Sequence, residues 1–570
     1  MSSNKQIAEI LEEIADLLEV MNVQWKPRAY RMASVSIESL SESIEDLYKQ
    51  GGIKKIMEIP GIGEHIAQKI EEIIKTGKSL YLSKLKKEMP VDVENLKQIE
   101  GMGPKTIALV YKHLNVKTVD DLKNAAKEGK IEQIKGLGPK TQDAILHSAG
   151  QRAKIEGRML LPQADSIAQQ VINEIKIYCK QIDVCGSLRR GKETIGDIDL
   201  LATSKNGNEL MKTFTSMRMV HKIVMKGDTR STVLLNDGVQ IDLRVVDEDS
   251  YGAATQYFIG NKQHNIATRT IAKKKGYKLS EYGLFRTKDN KKIAASDEKE
   301  IYSKLGLQYI SPEMREMIGE IEAAQKNKIP NLVELKDIQG DLHSHTIASD
   351  GGNTILEMAK AAQKLGLKYL LISEHTNILK IAGGLSERQL LDHFKEIDRI
   401  NKKLDGITLL KGMEANILHN GIDIGRTVLK EADVVVASIH GGMKGSKEEM
   451  TGRIIIAMEN EFVNIIGHPT GRNMPKRFGY ELDFEKIFDV AKRTKTALEI
   501  NSQPKRLDLR DIHVKAAIEA GVKLVISTDS HSVEQLQNMK YGVMTARRGW
   551  ATKKDILNTL DLKKFMEWFD

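Results

Sequence analysis

The sequence predicts a multidomain chain of mixed α and β structure, and three observations carry that reading. Three Gly-x-Gly turns, each opening an apolar-periodic helix, recur within the first 150 residues. A charged strand-turn unit, GSLRRGKETIGDIDLL, spans Gly186 to Leu201. Beyond residue 336, seven short runs rich in Val, Ile and Leu alternate with helical patterns. At 570 residues the chain is long enough for several domains, each with its own core.

Composition narrows the setting. The two cysteines, Cys179 and Cys185, are too few for a disulfide framework and fit a reducing cytoplasm. The N-terminal stretch MSSNKQIAEILEEIADLLEV is acidic and amphipathic, unlike a secretory signal. No apolar run approaches the roughly 20 residues that span a bilayer. The expectation is a cytoplasmic protein with no membrane partner. The net charge of +9 is unevenly placed: residues 1–150 hold 22 basic against 22 acidic side chains, and residues 151–330 hold 30 against 23. The excess accompanies the strand-turn unit, where attraction to a phosphate backbone would put it.

Side chains two apart share a face of an extended strand, so Asp197 and Asp199 project together while Ile198 turns into the core. Adjacent carboxylates repel unless a cation sits between them, which marks a divalent-metal site. Asp242, in the strand-like run VQIDLRVV, offers a third carboxylate. Upstream, Gly186 and Ser187 supply amides and a hydroxyl at a helix start, and Arg189 and Arg190 supply positive charge, as a polyphosphate requires. These groups point to phosphoryl or nucleotidyl transfer.

The string resembles the nucleotidyltransferase motif of family X DNA polymerases, the group that includes polymerase beta, and the resemblance continues through YGAATQYFIGNKQHNIATRT and GYKLSEYGLF. It implies that Asp197 and Asp199 hold two Mg²⁺ or Mn²⁺ ions and that Asp242 binds the ion activating the primer 3′-hydroxyl. Gly186, Ser187, Arg190 and Gly196 would bind the nucleotide, with Ser187 and Arg190 clamping its β- and γ-phosphates. Tyr257, Phe258 and Gly260 would form the turn that packs on the nucleotide sugar, Asn265 would touch the incoming base, and Arg269 the template strand. Lys262 departs from an acidic residue of polymerase beta.

The N-terminal repeats are IPGIGEHIAQKI from Ile59, IEGMGPKTIALV from Ile99 and IKGLGPKTQDAI from Ile134. Their glycines (Gly61 and Gly63, Gly101 and Gly103, Gly136 and Gly138) allow a tight turn and leave bare amides at a helix start. Such amides grip a DNA phosphate without reading bases. The pattern resembles the helix-hairpin-helix element. The first repeat, together with KPRAY at Lys26–Tyr30, resembles the small N-terminal domain of polymerase beta-like enzymes. That implies a 5′-deoxyribose-phosphate lyase in which Lys69 forms a Schiff base with an abasic sugar, lined by Lys26 and Tyr30. His65 stands where such lyases usually carry another lysine, and the other reading of Lys69 is a helix lysine on DNA phosphate.

The seven apolar runs are QGDLHSH, YLLISEH, TLLKGMEAN, DVVVASIH, VNIIGHP, TALEINS and KLVISTDSH, the texture of buried parallel strands alternating with helices. In six of them a His, Asp or Glu closes the strand, and α/β barrels build their sites at the carboxyl ends of strands. The candidate ligands are His343, His345, Asp350, His375, Glu414, His440, His468, Asp529 and His531. Imidazole and carboxylate without thiolate suit Mn²⁺, Zn²⁺ or Fe²⁺. Nine ligands are too many for one ion and right for about three, a cluster able to orient phosphate and supply hydroxide near neutral pH. His393, His419 and His513 lie in helical or loop contexts and are left out. This part resembles the PHP (polymerase and histidinol phosphatase) domain, which implies a distorted (β/α)7 barrel with Mn²⁺-dependent 3′→5′ exonuclease activity. Abasic-site cleavage and 3′-phosphate removal are further implied activities. Arg472, in GRNMPKR, and Arg506, in QPKRLDL, are candidates for holding the substrate phosphate.

The two resemblances cover almost the whole chain, in the order of PHP-bearing family X polymerases of bacteria and archaea. The expected fold class is multidomain α+β. Residues 1–84 would form a lyase-like DNA-binding domain and 85–150 helix-hairpin-helix fingers. Residues 151–250 would form a mixed-sheet palm and 251–325 a thumb. Residues 326–336, in the polar stretch EAAQKNKIPNLVELK, would be a linker, and 337–570 the barrel. The expected partners are gapped or nicked DNA and deoxynucleoside triphosphates, and the expected state is a monomer. Three other readings are a barrel for small phosphate esters, a DNA-binding scaffold with decayed sites, and a nuclease with a feeble polymerase. The repeats weigh against the first and the intact ligands against the second; residue identities do not decide the third.

Overall fold

The computed structural model describes residues 4–38, 43–59, 61–97, 99, 102–139, 141–143, 145–146, 158–377, 379 and 382–569. They form two compact units, Met1–Glu156 and Gly157–Asp570. The described part of the first unit is helical. Its first helix, Asn4–Val20, buries Ile7, Leu11, Ile14 and Leu18, the three-and-four spacing that lines one face. Glu64–Thr76 repeats the device with Ile66, Ile70 and Ile73 and stops at Gly77, whose φ of 69° is left-handed. Asp16 is buried and accepts from Arg31 Nη2 at 2.7 Å and Lys97 Nζ at 2.7 Å, which ties the first helix to two later segments.

The second unit begins with a five-stranded sheet: β1 (Gln181–Val184), β2 (Asp197–Thr203), β3 (Val220–Lys226), β4 (Arg230–Leu235) and β5 (Gln240–Val245), in the order β1-β2-β5-β4-β3. Only β2 and β5 run parallel. Ile198, Leu200 and Ala202 of β2 point with Ile241 and Leu243 of β5 into a core shared with helices Leu161–Ile175 and Gly207–Ser216. The alternate residues therefore lie on the opposite face, away from those helices. A second lobe follows, with helices Tyr251–Ile259 and Lys262–Lys274, a three-stranded antiparallel meander, and its own core around Tyr302.

The rest of the unit is a seven-stranded parallel barrel: β6 (Gly340–Asp341), β7 (Tyr369–His375), β8 (Thr408–Asn416), β9 (Val434–Ser438), β10 (Ile465–Ile466), β11 (Ala497–Asn501) and β12 (Leu524–Ser527), hydrogen-bonded in chain order. A helix follows each strand. The ring closes through a parallel bridge between Ser344 and Ser530, where the His345 amide donates to the Ser530 carbonyl at 2.8 Å. Period-two alternation sorts each strand. Tyr369, Leu371, Leu410, Val434, Val436, Ala497 and Val525 fill the interior, and Phe565 of the last helix joins them. The next inward positions toward the carboxyl ends are polar: Ser373 and His375 on β7, Glu414 on β8, Glu499 on β11.

The barrel is packed against the sheet lobe. Leu507, Tyr541 and Met544 of the barrel belong to the sheet lobe's apolar core. Around them lie Glu193–Arg472 at 2.8 Å, Glu193–Arg510 at 3.2 Å, Glu316–Arg548 at 3.1 Å, Glu313–Arg547 at 3.2 Å and Asp165–Lys540 at 2.7 Å. Part-buried pairs of this kind add little net stability. In the stretch expected as a linker, Val333 is buried and its amide is bonded to the Ala551 carbonyl at 2.9 Å. Among the described residues no helix is long and apolar enough to cross a membrane.

Candidate active sites

In the barrel, β7 and β8 are in register with His375 beside Glu414, so the strand pairing alone places an imidazole against a carboxylate. Glu414 is the hub. Its Oε2 lies 2.9 Å from His375 Nδ1, 3.4 Å from His343 Nε2 and 3.7 Å from His345 Nε2. Its Oε1 lies 2.9 Å from His468 Nε2 and 3.1 Å from His440 Nε2. Asp529 Oδ1 is 3.4 Å from His345 Nε2 and 3.8 Å from His343 Nε2, and Asp350 reaches His375 at 3.5 Å and His531 at 3.4 Å. All nine ligands expected from the sequence thus meet in one cleft. Seven of them fall into three overlapping groups whose ligand atoms lie within 4.8 Å of one another: His345, Asp350, His375 and His531; His343, His345 and Glu414; His375, Glu414 and His440.

These side chains crowd without satisfying each other. His343 Nε2, both nitrogens of His345, His375 Nδ1, both Glu414 oxygens, His440 Nε2 and His468 Nδ1 are buried with no hydrogen-bond partner. A buried polar atom without a hydrogen bond costs free energy that a coordinated ion would recover. Divalent cations are what this donor set fits. The acid–base balance of the cleft agrees. Burial lowers the His345 and His468 imidazoles to about 4, helped by His375 and Arg506 respectively, so both present neutral lone pairs. Glu414 is held well below the usual carboxylate range by His440, His343 and His375 despite its burial. Burial opposes the charged form of His375, yet Glu414 and Asp350 raise it to about 10. A resident cation would take over the balancing role that those protons serve.

In the five-stranded sheet, Asp199 and Asp242 are register partners on parallel strands, and Asp197 lies two residues before Asp199 on the same face. Asp242 accepts from Thr232 Oγ1 at 2.5 Å, Gln240 Nε2 at 2.7 Å and Arg230 Nη2 at 3.2 Å. Burial, then repulsion from Asp197 and Asp242, raises the Asp199 carboxyl to about 6. Among the described residues, ligand groups gathered within 4.8 Å occur in the barrel and not here. Gly186 starts the helix Gly186–Arg189 at φ 58°, and a Cβ there would meet Asp199 Oδ2 at 2.0 Å, so glycine is required by both the turn and the carboxylate. A Cβ at Gly196 would meet Arg158 Nη1 at 2.8 Å. In the next lobe, Asn265 Nδ2 donates to the carbonyls of Tyr257 at 2.7 Å and Gly260 at 3.2 Å, fixing the Tyr-Phe-x-Gly turn. Tyr257 and Phe258 meet edge-on at 5.1 Å, and exposed Arg269 bonds the Asn265 carbonyl.

In the first unit, Gly63 and Gly103 cap their helices with no side-chain hydrogen bond, and a Cβ at Gly63, Gly103, Gly136 or Gly138 would meet nothing within 4 Å. Gly61 and Gly136 take positive φ, 83° and 97°. Open space over bare amides is what a phosphate backbone needs. Gly101 lies outside the described residues. The Lys69 ammonium rests 4.3 Å from the Tyr81 ring centre, and Tyr81 stacks on Tyr30 at 6.2 Å; Lys26 and His65 are exposed.

Five family models match, between residues 2 and 503. They are a helix-hairpin-helix domain over residues 2–79, a SAM-like helix-hairpin-helix tandem over 93–150, the DNA polymerase beta palm over 161–266 and thumb over 254–316, and the PHP domain over 341–503. The DNA polymerase/3′-5′ exonuclease PolX of Bacillus subtilis (strain 168) is 36% identical over 565 residues, which cover 98% of both chains. The chain belongs to the PolX family. DNA polymerase lambda of Rattus norvegicus is 26% identical over 55% of this chain and 56% of its own. A probable phosphatase of Thermoanaerobacter sp. (strain X514) is 30% identical over 40% of this chain and 93% of its own.

Two arginines of this PolX-family chain have carboxylate partners within the protein. Arg472, a candidate for the substrate phosphate, is buried and paired with Glu193 of the palm at 2.8 Å. Arg190, expected on the triphosphate, donates to Glu316 at 2.8 Å and to the Ile259 carbonyl at 2.6 Å, and the Arg190 carbonyl accepts from Arg548 of the barrel at 2.9 Å. Ser187 and Arg189 stay partly exposed beside it. Arg506 does reach the barrel cleft, with Nε 3.2 Å from Asp529 Oδ2. Its neighbour Leu507 is buried in the palm core with φ 44°. A left-handed conformation costs a leucine about 1–2 kcal/mol, and burying its side chain contributes about 1.5–3 kcal/mol, so the palm contact offsets the strain.

The groups that orient these nine side chains are other residues, not among the nine expected from the sequence. Glu499, fully buried, holds His343 Nδ1 at 2.8 Å, the His468 amide at 2.6 Å and Asn501 Nδ2 at 3.0 Å. Asn416 Oδ1 meets His440 Nδ1 at 2.8 Å. Glu374 takes the Thr346 hydroxyl at 2.5 Å and faces His393 at 3.5 Å. The signal for Glu499 was present: two residues beyond Ala497 in TALEINS it must point inward. Such outer carboxylates fix the tautomer and orientation of a ligating imidazole. Glu499→Ala should weaken Mn²⁺ binding about 10- to 100-fold in calorimetric titration; unchanged affinity would reduce Glu499 to packing. His419 and His513 are outside the ligand groups: exposed His419, beside Glu449, lines a cavity with His440, and the His513 ring is tilted against Phe484 at 4.0 Å.

Proposed function

We propose that this chain fills short gaps in DNA during repair by nucleotidyl transfer in the palm, and trims 3′ ends in the barrel as a 3′→5′ exonuclease and phosphoesterase. The observation that carries the reading is the coexistence, in one chain, of the Asp197–Asp199–Asp242 face and a nine-ligand cleft with orphaned buried donors. Divalent cations, Mg²⁺ or Mn²⁺ in the palm and about three Mn²⁺, Zn²⁺ or Fe²⁺ in the barrel, would stabilise developing phosphate charge and lower the pKa of water or hydroxyl nucleophiles. The chain's own contribution in the palm is orientation. Asp242 is braced by Thr232 and Gln240, Gly186 and Ser187 offer amides and a hydroxyl to a triphosphate, and the turn held by Asn265 supports Tyr257 and Phe258 against the sugar. In the barrel, Glu499 and Asn416 orient imidazoles and Arg506 supplies positive charge for a phosphate oxygen.

The residue ranges 1–84, 85–150, 151–250, 251–325, 326–336 and 337–570 are proposed as lyase-like domain, fingers, palm, thumb, connector and barrel. The family matches and the division after Glu156 support them. Lys69, on the aromatic pair Tyr81–Tyr30, is proposed as the amine of a 5′-deoxyribose-phosphate lyase, and abasic-site cleavage and 3′-phosphate removal are proposed for the barrel. A second reading, a nuclease with a vestigial polymerase, is favoured by one contrast: the barrel ligands are already gathered, whereas Arg190 is bound to Glu316.

A 5′-labelled primer bordering a one-nucleotide gap, incubated with Mn²⁺ and rising deoxynucleotides, separates the two. Shortening that gives way to one-nucleotide extension is the expected result. Shortening that never yields to extension would establish the second reading.

A further inference from the structure

Arg506 and Leu507 are adjacent in one turn but serve different lobes. The Arg506 guanidinium reaches Asp529 in the barrel cleft, and the Leu507 side chain is buried in the palm core with Tyr541. The barrel grips the turn at its two ends. Gln503 Nε2 donates to the Asp529 carbonyl at 2.9 Å and to Gln535 at 2.8 Å, and Asp508 accepts the Thr470 amide at 3.0 Å. Between those grips the backbone takes a left-handed conformation at Leu507, which a leucine keeps only where its surroundings hold it. The Arg506 and Leu507 amides bond the Gln503 carbonyl at 2.8 and 3.1 Å, and the Leu507 side chain packs in the palm's apolar core together with Tyr541 of the barrel.

We infer that Leu507 is a positioning residue of the barrel reaction: the palm core holds Leu507, and Leu507 holds Arg506 where it meets a substrate phosphate. The phosphate affinity of the barrel is therefore set by a palm docked against it. Loss of the Leu507 contact frees the turn to relax, and Arg506 leaves the cleft while the nine ligands, none of them on this turn, stay in place. This rests on reading the barrel as a phosphoesterase.

The test uses the full chain and bis(p-nitrophenyl) phosphate, a diester too small to need the DNA-binding helices. Leu507→Ala should raise its KM about tenfold or more with a smaller change in kcat, because a displaced phosphate-binding group costs binding first. Mn²⁺ stoichiometry by titration should stay that of the parent. Leu507→Met, which refills the palm core, should restore KM to within about twofold. In an Arg506→Gln background, Leu507→Ala should add no further loss, since both changes remove one interaction.

A parental KM in Leu507→Ala overturns the inference, as does a loss that multiplies with that of Arg506→Gln. Loss of Mn²⁺ from Leu507→Ala also overturns it, by showing a general unfolding of the cleft. A parent protein that binds Mn²⁺ yet leaves the diester intact would instead overturn the phosphoesterase reading beneath it.

Discussion

Asp242→Ala should lower gap filling by roughly a thousandfold, the several kcal/mol that a lost metal carboxylate represents, while Mn²⁺-dependent shortening of the 3′ end persists. Asp242 is the register partner of Asp199 across the parallel pair, so its removal takes away one wall of the carboxylate face and leaves the strands paired through their backbones. It also removes one source of the repulsion that lifts Asp199. The Asp199 carboxyl should then titrate below its parental value of about 6, which NMR titration of the variant can follow. With the Asp199 pKa raised, lowering the pH through about 6 protonates it in the parent and competes with metal binding, so extension should weaken on that side. Joint loss of extension and shortening in Asp242→Ala would mean that the two sites are not separable.

His345→Ala should do the reverse, abolishing shortening by about a thousandfold or more with extension retained. His345 belongs to two of the three ligand groups, and its ring lies 4.4 Å from both the His375 and His531 rings. Its loss opens a gap between metal positions instead of trimming one edge. Metal analysis of the purified variant should show at least one ion fewer than the parent. Persistent Mn²⁺-dependent degradation by a clean preparation would refute the assignment of the barrel.

Much of this was legible in the sequence because it is local. The alternation in DIDLL and QIDLRV settles which face the carboxylates share, and the polar residues closing each apolar run mark the mouth of the barrel. The nine ligands needed no knowledge of packing between lobes. The arginines did. Arg472 and Arg190 were legible as cations near phosphate chemistry, but their partners, Glu193 and Glu316, are chosen by the docking of one lobe on another. A guanidinium more than 270 residues from its carboxylate, as Arg472 is from Glu193, leaves no periodic trace. Glu499 is a different case. Its inward direction could be read from TALEINS, but its bond to His343 joins β11 to the opposite end of the barrel sequence.

The seam at Ser344 and Ser530 has a consequence in time. His343 and His345 leave the ribosome early in the barrel's synthesis, but Asp529 and His531 arrive among its last segments, and the ring cannot close before they do. The palm carboxylates have by then been available for some 290 residues of elongation. A nascent chain of this protein therefore carries its palm carboxylates long before its barrel cleft can hold a full set of ligands, and a chain that stops before residue 529 lacks two of the nine.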